Sequence, residues 1–172
     1  MIQHSFPTDA LPIPIQPEPI AVRSEVEDIV NAAAGERTRD VRVDIEPKLV
    51  TVVDRNALER IVSNLVVNAL RYGSAPVTLT AAQRDRHFRL AVEDCGEGVS
   101  ADLVPQLFDR FTRGAERRGP GTGLGLAIAQ AYARAHGGDL AYEPARPSGA
   151  RFEVVLPVST ALSGTQRSRS TG

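Results

Sequence analysis

Residues 119–128 read GPGTGLGLAI, and three glycines in this stretch alternate with other residues before an apolar helical pattern begins. Each glycine inside a helix costs about 1 kcal/mol relative to alanine, so these glycines do not serve helix stability. The first N–H groups of a helix are unpaired and partly positive, and residues without a Cβ let phosphate oxygens approach them. The stretch therefore predicts a phosphate cradle, with a flexible hinge as the alternative. The cradle would comprise Gly121, Thr122, Gly123, Leu124 and Gly125.

Composition and motif spacing exclude several classes of function. The glycines lack the Lys-Ser/Thr that follows in a Walker P-loop, and no strand pattern leads into them as in a dinucleotide fold. The 172 residues include 20 Lys and Arg against 21 Asp and Glu, a balance that predicts no nucleic-acid or membrane-binding surface. One cysteine rules out an intrachain disulfide, and no apolar run approaches the ~20 residues of a membrane span. We expect a cytoplasmic protein without a signal peptide.

The two ends of the chain differ in composition from its middle. Five of the twelve prolines lie in residues 1–20, which predicts an extended lead-in or linker outside any sheet. A first helix follows, for which Ser24 is the expected cap and Gly35 the end. The polar residues 158–172 predict a disordered tail. We therefore expect one domain over residues 21–157.

The middle of the chain predicts a hairpin followed by a long helix. The β-branched runs 41–46 and 49–54 surround a Pro-Lys turn, which favours a hairpin. Asp54 is the expected N-cap of a helix over residues 55–72. Its apolar residues recur at helical spacing, which predicts one buried face. That face consists of Leu58, Val62, Leu65, Val66 and Ala69.

The remaining elements predict an α+β fold. Alternating apolar residues indicate a second hairpin over 77–83 and 87–94, a short helix near 101–107 and a helix over 124–135. Two closing strands follow this last helix. Because hairpins dominate the order, we expect a two-layer α/β sandwich with a mixed sheet covered on one face by about three helices.

The stretch NLVVNALRYG, residues 64–73, places two amides on one face of the long helix. Asn64 and Asn68 are four residues apart and project in the same direction. An amide oxygen is a suitable ligand for Mg²⁺, which prefers oxygen donors. The alternative is a pair of solvated asparagines on an exposed face.

The stretch EDCGEGV, residues 93–99, follows an apolar strand with a carboxylate and two glycines. Asp94 can accept a hydrogen bond from an exocyclic amine such as that of adenine. Gly96 and Gly98 let the chain turn behind it and leave room for a flat ring. The alternative is an ordinary turn at a strand end.

The stretch LFDRFTRG, residues 107–114, combines aromatic anchors with exposed arginines. Phe108 and Phe111 can hold the start of a loop, and the planar fork of Arg113 suits the oxygens of a terminal phosphate. The alternative is a helix end with ordinary aromatic packing.

The order and spacing of these four stretches resemble the N, G1, F and G2 boxes of the catalytic, ATP-binding domain of sensor histidine kinases. The resemblance covers roughly residues 20–157. It implies the Bergerat ATP-binding fold, which is shared with DNA gyrase B subunits, mismatch-repair ATPases and heat-shock chaperones. It also implies ATP and Mg²⁺ as ligands, and residues 112–120 as a short, mobile lid over the nucleotide.

The resemblance assigns a role to each matching residue. Asn68 corresponds to the Mg²⁺ ligand and, with Arg113, is expected to be catalytic, while Asn64 supports the phosphates or the metal. Asp94 corresponds to the residue that binds the adenine amine. The expected nucleotide-binding set also includes Arg71, Tyr72, Gly96, Gly98 and the phosphate cradle defined above. Cys95 stands where the family often has Asn or Thr, and we interpret it as a packed residue.

The residue types favour phosphotransfer to histidine over hydrolysis. ATP-hydrolysing relatives and anti-sigma serine kinases carry a glutamate base four residues before the metal-binding asparagine, and here that position is Asn64. The chain has three histidines, His4, His87 and His136, and none lies on a long helix beside a carboxylate. We expect an enzyme that acts on a phosphoacceptor histidine domain from another chain or from a missing part, with a response regulator downstream. The alternatives are a non-catalytic ATP-binding module, a slow ATPase or an anti-sigma-type serine kinase.

Overall fold

The computed structural model of the chain describes residues 14–110 and 123–159. Within them the chain forms strands and helices in mixed order, with 3₁₀ turns at Gly35–Asp40 and Val104–Gln106. The strands are β1 Pro17–Ala21, β2 Val41–Ile45, β3 Val50–Asp54, β4 Val77–Arg84, β5 His87–Glu93, β6 Asp139–Pro144 and β7 Ala150–Pro157. The helices are α1 Val22–Ala34, α2 Arg55–Tyr72 and α3 Gly125–Ala135.

Five strands form a mixed sheet in the order β2-β4-β5-β7-β6, in which β2 and β4 are parallel and the other pairs antiparallel. On β7, the buried side chains of Phe152, Val154 and Leu156 alternate with half-buried neighbours, so one sheet face forms the core. All three helices pack against this sheet. The predicted α+β class with a mixed sheet is therefore confirmed.

The predicted hairpin over residues 41–54 is wrong. A turn does close there, with the Leu49 N–H donating to Glu46 O at 3.0 Å. However, β2 pairs in parallel with β4, whereas β3 pairs antiparallel with β1 in a separate two-stranded sheet. Both runs have the β-branched pattern of strands, but their partners come from distant parts of the chain. Local sequence carries no information about those partners.

The predicted lead-in is not extended coil throughout. Residues 17–20 form most of β1, with Pro17 opposite Asp54 and Pro19 opposite Val52. A two-stranded sheet leaves one edge of each strand free, where the missing N–H of proline costs no ladder hydrogen bond. At the other end, the Val158 N–H donates to Arg86 O at 2.8 Å, so the described start of the predicted tail is tied to the fold.

Two predictions of helix boundaries also need correction. Helix α1 begins at Val22, whose N–H donates to Leu49 O at 3.0 Å, so Ser24 lies inside the helix and is not its cap. The predicted end at Gly35, which has a φ of 55°, is confirmed. The expected short helix near residues 101–107 is only the 3₁₀ turn Val104–Gln106.

Helix α2 is the central element of the fold, and its predicted start and buried face are confirmed. All five residues of the predicted face are buried. Asp54 caps the helix, because the Ala57 N–H donates to Asp54 Oδ1 at 2.9 Å. The Gln16 N–H donates to Asp54 Oδ2 at 2.7 Å, which ties the start of β1 to the same carboxylate.

The environment of Asp54 has opposing effects on its acidity. Burial by itself would raise the pKa of the Asp54 carboxyl. The N–H groups of Gln16 and Ala57 and the nearby imidazole of His136 outweigh burial, so the pKa lies below its ordinary value. A carboxyl whose pKa is lowered by folding stabilises the folded state wherever it is ionised.

We predict that Asp54→Asn lowers the free energy of unfolding by about 1–2 kcal/mol at neutral pH, because the amide replaces one acceptor oxygen with a donor. The difference in free energy of unfolding between the native protein and Asp54→Asn should have its full size above the pKa of an unfolded aspartate, ~3.9. It should disappear as the pH falls through the lower pKa of Asp54 in the folded protein. Urea denaturation of both proteins between neutral and acidic pH measures this difference. Exposed Asp44→Asn is the matched control. A difference that does not change with pH would contradict the assignment.

Candidate functional site

The carboxyl end of β5 meets the end of α2 at Asp94 and Gly73. A Cβ added to Gly73 would lie 2.3 Å from Asp94 Cγ and 2.6 Å from Asp94 Oδ2. Only a residue without a side chain therefore allows the helix end to approach the carboxylate so closely. The local sequence around Gly73 gives no signal of this contact.

Asp94 is a buried carboxylate with one oxygen held by the protein. Asp94 is only 4% exposed to solvent. Oδ1 accepts hydrogen bonds from the Gly96 N–H at 2.8 Å and, more weakly, from the Ala150 N–H at 3.4 Å. Among the described residues, no donor is paired with Oδ2. The carboxylate is thus fixed in orientation and offers one acceptor oxygen to a ligand.

Glycines bring three backbone segments together around Asp94. Gly149 has a φ of 114°, and a Cβ there would lie 1.9 Å from Asp94 O. Gly98 has a φ of 80°, and its Cβ would lie 2.9 Å from Gly149 O. Gly96 is also confined, since its Cβ would lie 3.1 Å from Gly73 Cα. Sequence reasoning singled out Gly96 and Gly98 but not Gly149, whose only signal is its place before the last strand.

The structure brings Asn64 to the start of α3. Asn64 Nδ2 donates to Arg60 O at 2.6 Å, and Asn64 Oδ1 lies 3.3 Å from the position that a Cβ of Gly125 would take. Asn68 lies one turn further along α2 and is half-buried. The face of α2 that carries both asparagines therefore borders the first turn of α3.

The described part of the glycine-rich stretch leads into α3 as expected. Gly123 has a φ of 67°, Leu124 occupies the N-cap position and Gly125 begins the helix. The first N–H groups of α3 have no partner within the helix, and they carry the positive end of its dipole. The rest of the stretch and the expected lid, residues 112–120 with Arg113, lie outside the described residues, as do Phe111, Gly121 and Thr122.

Two expected nucleotide-binding residues lie at the end of α2. Arg71 is exposed and lines a groove between α1 and α2 together with Arg37 and Val67. Tyr72 is the half-buried last residue of the helix and precedes Gly73 directly. Their proximity to a nucleotide stays a prediction.

The aromatic anchor predicted at residue 108 is present. Phe108 is half-buried and packs edge-on against Phe152, with ring centroids 6.3 Å apart. Leu107 also packs against the core. Cys95, by contrast, is exposed rather than packed, and its N–H donates to Ser74 O at 3.0 Å.

The arrangement combines three chemical functions along one side of α2. A buried carboxylate oxygen is available to a hydrogen-bond donor, asparagine amides lie in the middle, and a helix N-terminus that favours anions lies beyond them. In residues 14–110 and 123–159, no three His, Cys, Asp or Glu side chains are grouped as a metal site. None of the helices described in those ranges is long and apolar enough to cross a membrane.

Comparison with known proteins identifies the chain's relatives. AfsQ2, a signal transduction histidine-protein kinase of Streptomyces coelicolor, is 38% identical over 119 residues, which are 68% of this chain and 22% of AfsQ2. The sensor histidine kinase component HK1 of Mycobacterium tuberculosis is 36% identical over 119 residues, 69% of this chain and 71% of that protein. The chain thus spans about a fifth of the first relative and most of the second.

Structural comparison and a family model agree with these relatives. Full-length ShkA in complex with AMPPNP superposes with a TM-score of 0.72 at 25% identity, over 86% of this chain and 32% of that chain. The model of the histidine kinase-, DNA gyrase B- and HSP90-like ATPases matches residues 53–160, which include α2, Asp94 and α3. The chain therefore belongs to this ATPase family and is an ATP-binding catalytic domain of the sensor histidine kinase type.

Proposed function

We propose that the chain binds Mg-ATP in a cleft beside α2, bordered by Asp94, Asn68 and the start of α3. We propose further that it donates the γ-phosphate to a histidine on a helical phosphoacceptor domain, in two-component signalling. That domain comes from another chain or from a part of the kinase outside this sequence. The observation that carries the proposal is the buried carboxylate of Asp94, which lies among glycine backbones and whose Oδ2 has no paired donor within residues 14–110 and 123–159. A response regulator would take the phosphoryl group next, and a cytoplasmic location fits this role.

The Oδ2 atom of Asp94 suits the exocyclic amine of adenine. The amine is a donor, and a fixed carboxylate oxygen is the acceptor it requires. Gly73 and Gly96 keep the space beside this oxygen free of side chains. The AMPPNP complex of ShkA, which shares the fold, supports an adenine nucleotide as the ligand.

The phosphates would lie between the asparagines and the start of α3. Unpaired N–H groups and the helix dipole favour negative charge at that end of α3. The amide oxygen of Asn68 suits Mg²⁺, and the family assigns Asn68 this ligand role. When bound, the cation would neutralise charge on the phosphate oxygens. Arg71, Tyr72 and Arg113 are proposed as further nucleotide contacts.

Asn64 favours phosphotransfer over hydrolysis. Its amide cannot take a proton from water at neutral pH, and its Nδ2 is already donating to Arg60 O. In the proposed reaction, an imidazole nitrogen of the acceptor attacks the γ-phosphorus in line. The bond between phosphorus and the bridging oxygen then breaks, and ADP leaves with that electron pair.

The two histidines in residues 14–110 and 123–159 do not suit the acceptor role. His87 is exposed at the start of a strand, and His136 is mostly buried at the end of α3 with Nδ1 2.7 Å from Tyr132 O. His4 lies outside the described residues.

We predict that Asp94→Asn weakens binding of adenine nucleotides, because the amide can present a donor to the adenine amine. Loss of one charge-assisted hydrogen bond costs ~1.5–3 kcal/mol, roughly tenfold or more in affinity. Calorimetric titration with ATP and with GTP measures the effect, and Glu93→Gln on the opposite strand face is the matched control. Equal losses for both nucleotides would contradict base recognition by Asp94.

We predict that Asn68→Ala abolishes Mg²⁺-dependent ATP binding and leaves the fold intact, because Asn68 is half-buried rather than part of the core. Titration with ATP in the presence of Mg²⁺ or of EDTA separates the metal-dependent part, and circular dichroism checks folding. Exposed Asn56→Ala on the same helix is the control. Native affinity in a folded Asn68→Ala protein would refute the metal-ligand role.

We predict that the chain labels separate helical phosphoacceptor domains, but not itself, when mixed with γ-labelled ATP and Mg²⁺. The label should be acid-labile and alkali-stable, as a phosphoramidate is, and should disappear with Asn68→Ala or with loss of the acceptor histidine. Stoichiometric label on this chain alone would show that His4, His87 or His136 is an acceptor. ATP binding without transfer to any acceptor domain would indicate a non-catalytic module, and steady phosphate release an ATPase.

A further inference from the structure

We propose that Tyr142 is a positioning residue for nucleotide binding, because its hydroxyl holds the loop that follows Asp94. This inference rests on the proposed function of the cleft. Tyr142 lies on β6, far from Asp94 in the sequence, and none of the four motifs includes it. Its role follows from contacts between β6 and residues 96–99.

The hydroxyl of Tyr142 accepts a hydrogen bond from the loop at Val99 and lies beside Gly98. The Val99 N–H donates to Tyr142 Oη at 3.2 Å. The same oxygen lies 3.7 Å from the position that a Cβ of Gly98 would take. Because Gly98 has a φ of 80°, the chain turns sharply just before this hydrogen bond.

Two hydrogen bonds fix the backbone of the loop, and Tyr142 accepts the second of them, while the Val99 side chain packs against the core. At its start, the Gly96 N–H donates to Asp94 Oδ1 at 2.8 Å. At its end, the Val99 N–H donates to the tyrosine hydroxyl. Between these two bonds, Gly98 lies close to Gly149 O, and the loop contains no helix or strand. Gly96 and Gly98, which border the proposed base site, therefore lie in a segment held by Asp94 on one side and Tyr142 on the other.

The ring of Tyr142 is itself held by the core. Tyr142 lies directly opposite Phe152 on β7, and their ring centroids are 5.4 Å apart. Phe152 is buried and also contacts Phe108 edge-on. The hydroxyl is therefore presented from a rigid sheet, and the same aromatic group anchors the segment that leads into residues 111–122.

Tyr142→Phe separates positioning from packing, since it removes the hydroxyl and keeps the ring against Phe152. We expect the affinity for ATP and for ADP to fall equally, by about three- to tenfold, the effect of one neutral hydrogen bond. We also expect faster hydrogen exchange of the Val99 amide. In combination with Asp94→Asn the losses should be less than additive, since both residues act on the same loop. Tyr132→Phe, at a half-buried tyrosine of α3, is the matched control.

Calorimetry, exchange measurements and urea denaturation of the full chain test this role. Unchanged nucleotide affinity in Tyr142→Phe, or an unchanged Val99 amide, would overturn the inference. A loss of affinity matched by Tyr132→Phe would also overturn it, since it would show a general effect of hydroxyl removal. If the native chain binds no ATP, the proposed function fails and the inference fails with it. Native binding that is unchanged in Tyr142→Phe refutes the inference alone.

Discussion

The arrangement of the cleft depends on one close contact, between the buried carboxylate of Asp94 and the backbone of Gly73. A charge can be buried only where hydrogen-bond donors replace its hydration, and Gly96 and Ala150 supply them to Oδ1. The donors fix the carboxylate in one orientation, and Gly73 and Gly149 leave the space it needs. The end of α2, the end of β5 and the start of β7 are therefore held in one relative placement.

Helix α2 connects this contact with the rest of the domain. Its first turn is fixed by Asp54, which also accepts a hydrogen bond from the Gln16 N–H ahead of β1. Its second half carries the two asparagines, and Gly73 caps its C-terminal end. The buried apolar face of α2 packs against the sheet along its length. Helix α2 is therefore a rigid element that connects Asp54 and the start of β1 with the candidate site. This rigidity suits a site that must hold a ligand in one orientation.

Several kinds of ATPase share the fold of this chain. The histidine kinase-, DNA gyrase B- and HSP90-like ATPases have one family model, and it matches this chain. Fold alone does not decide between hydrolysis and phosphotransfer. The proposal of phosphotransfer rests on Asn64, which the family resemblance places where hydrolysing relatives have a glutamate base. The aromatic rings of Phe108, Tyr142 and Phe152 pack together, and the Tyr142 hydroxyl accepts a hydrogen bond from the loop that follows Asp94.

The sequence by itself determined the elements with strong periodicity and the residues with distinctive chemistry. Helix α2 with its Asp54 cap and the hairpin of β4 and β5 followed from local pattern, because caps and periodicity are local. Motif spacing, which is also local, indicated Asn64, Asn68 and Asp94 as candidate site residues. Local pattern did not predict three other features. These are the pairings of β1 with β3 and of β2 with β4, the close contacts of Gly73 and Gly149, and the hydrogen bond to the Tyr142 hydroxyl. Each of these joins residues that are far apart in the chain. Only the packed structure decides such contacts, because they depend on which surfaces remain to be buried after the local elements have formed.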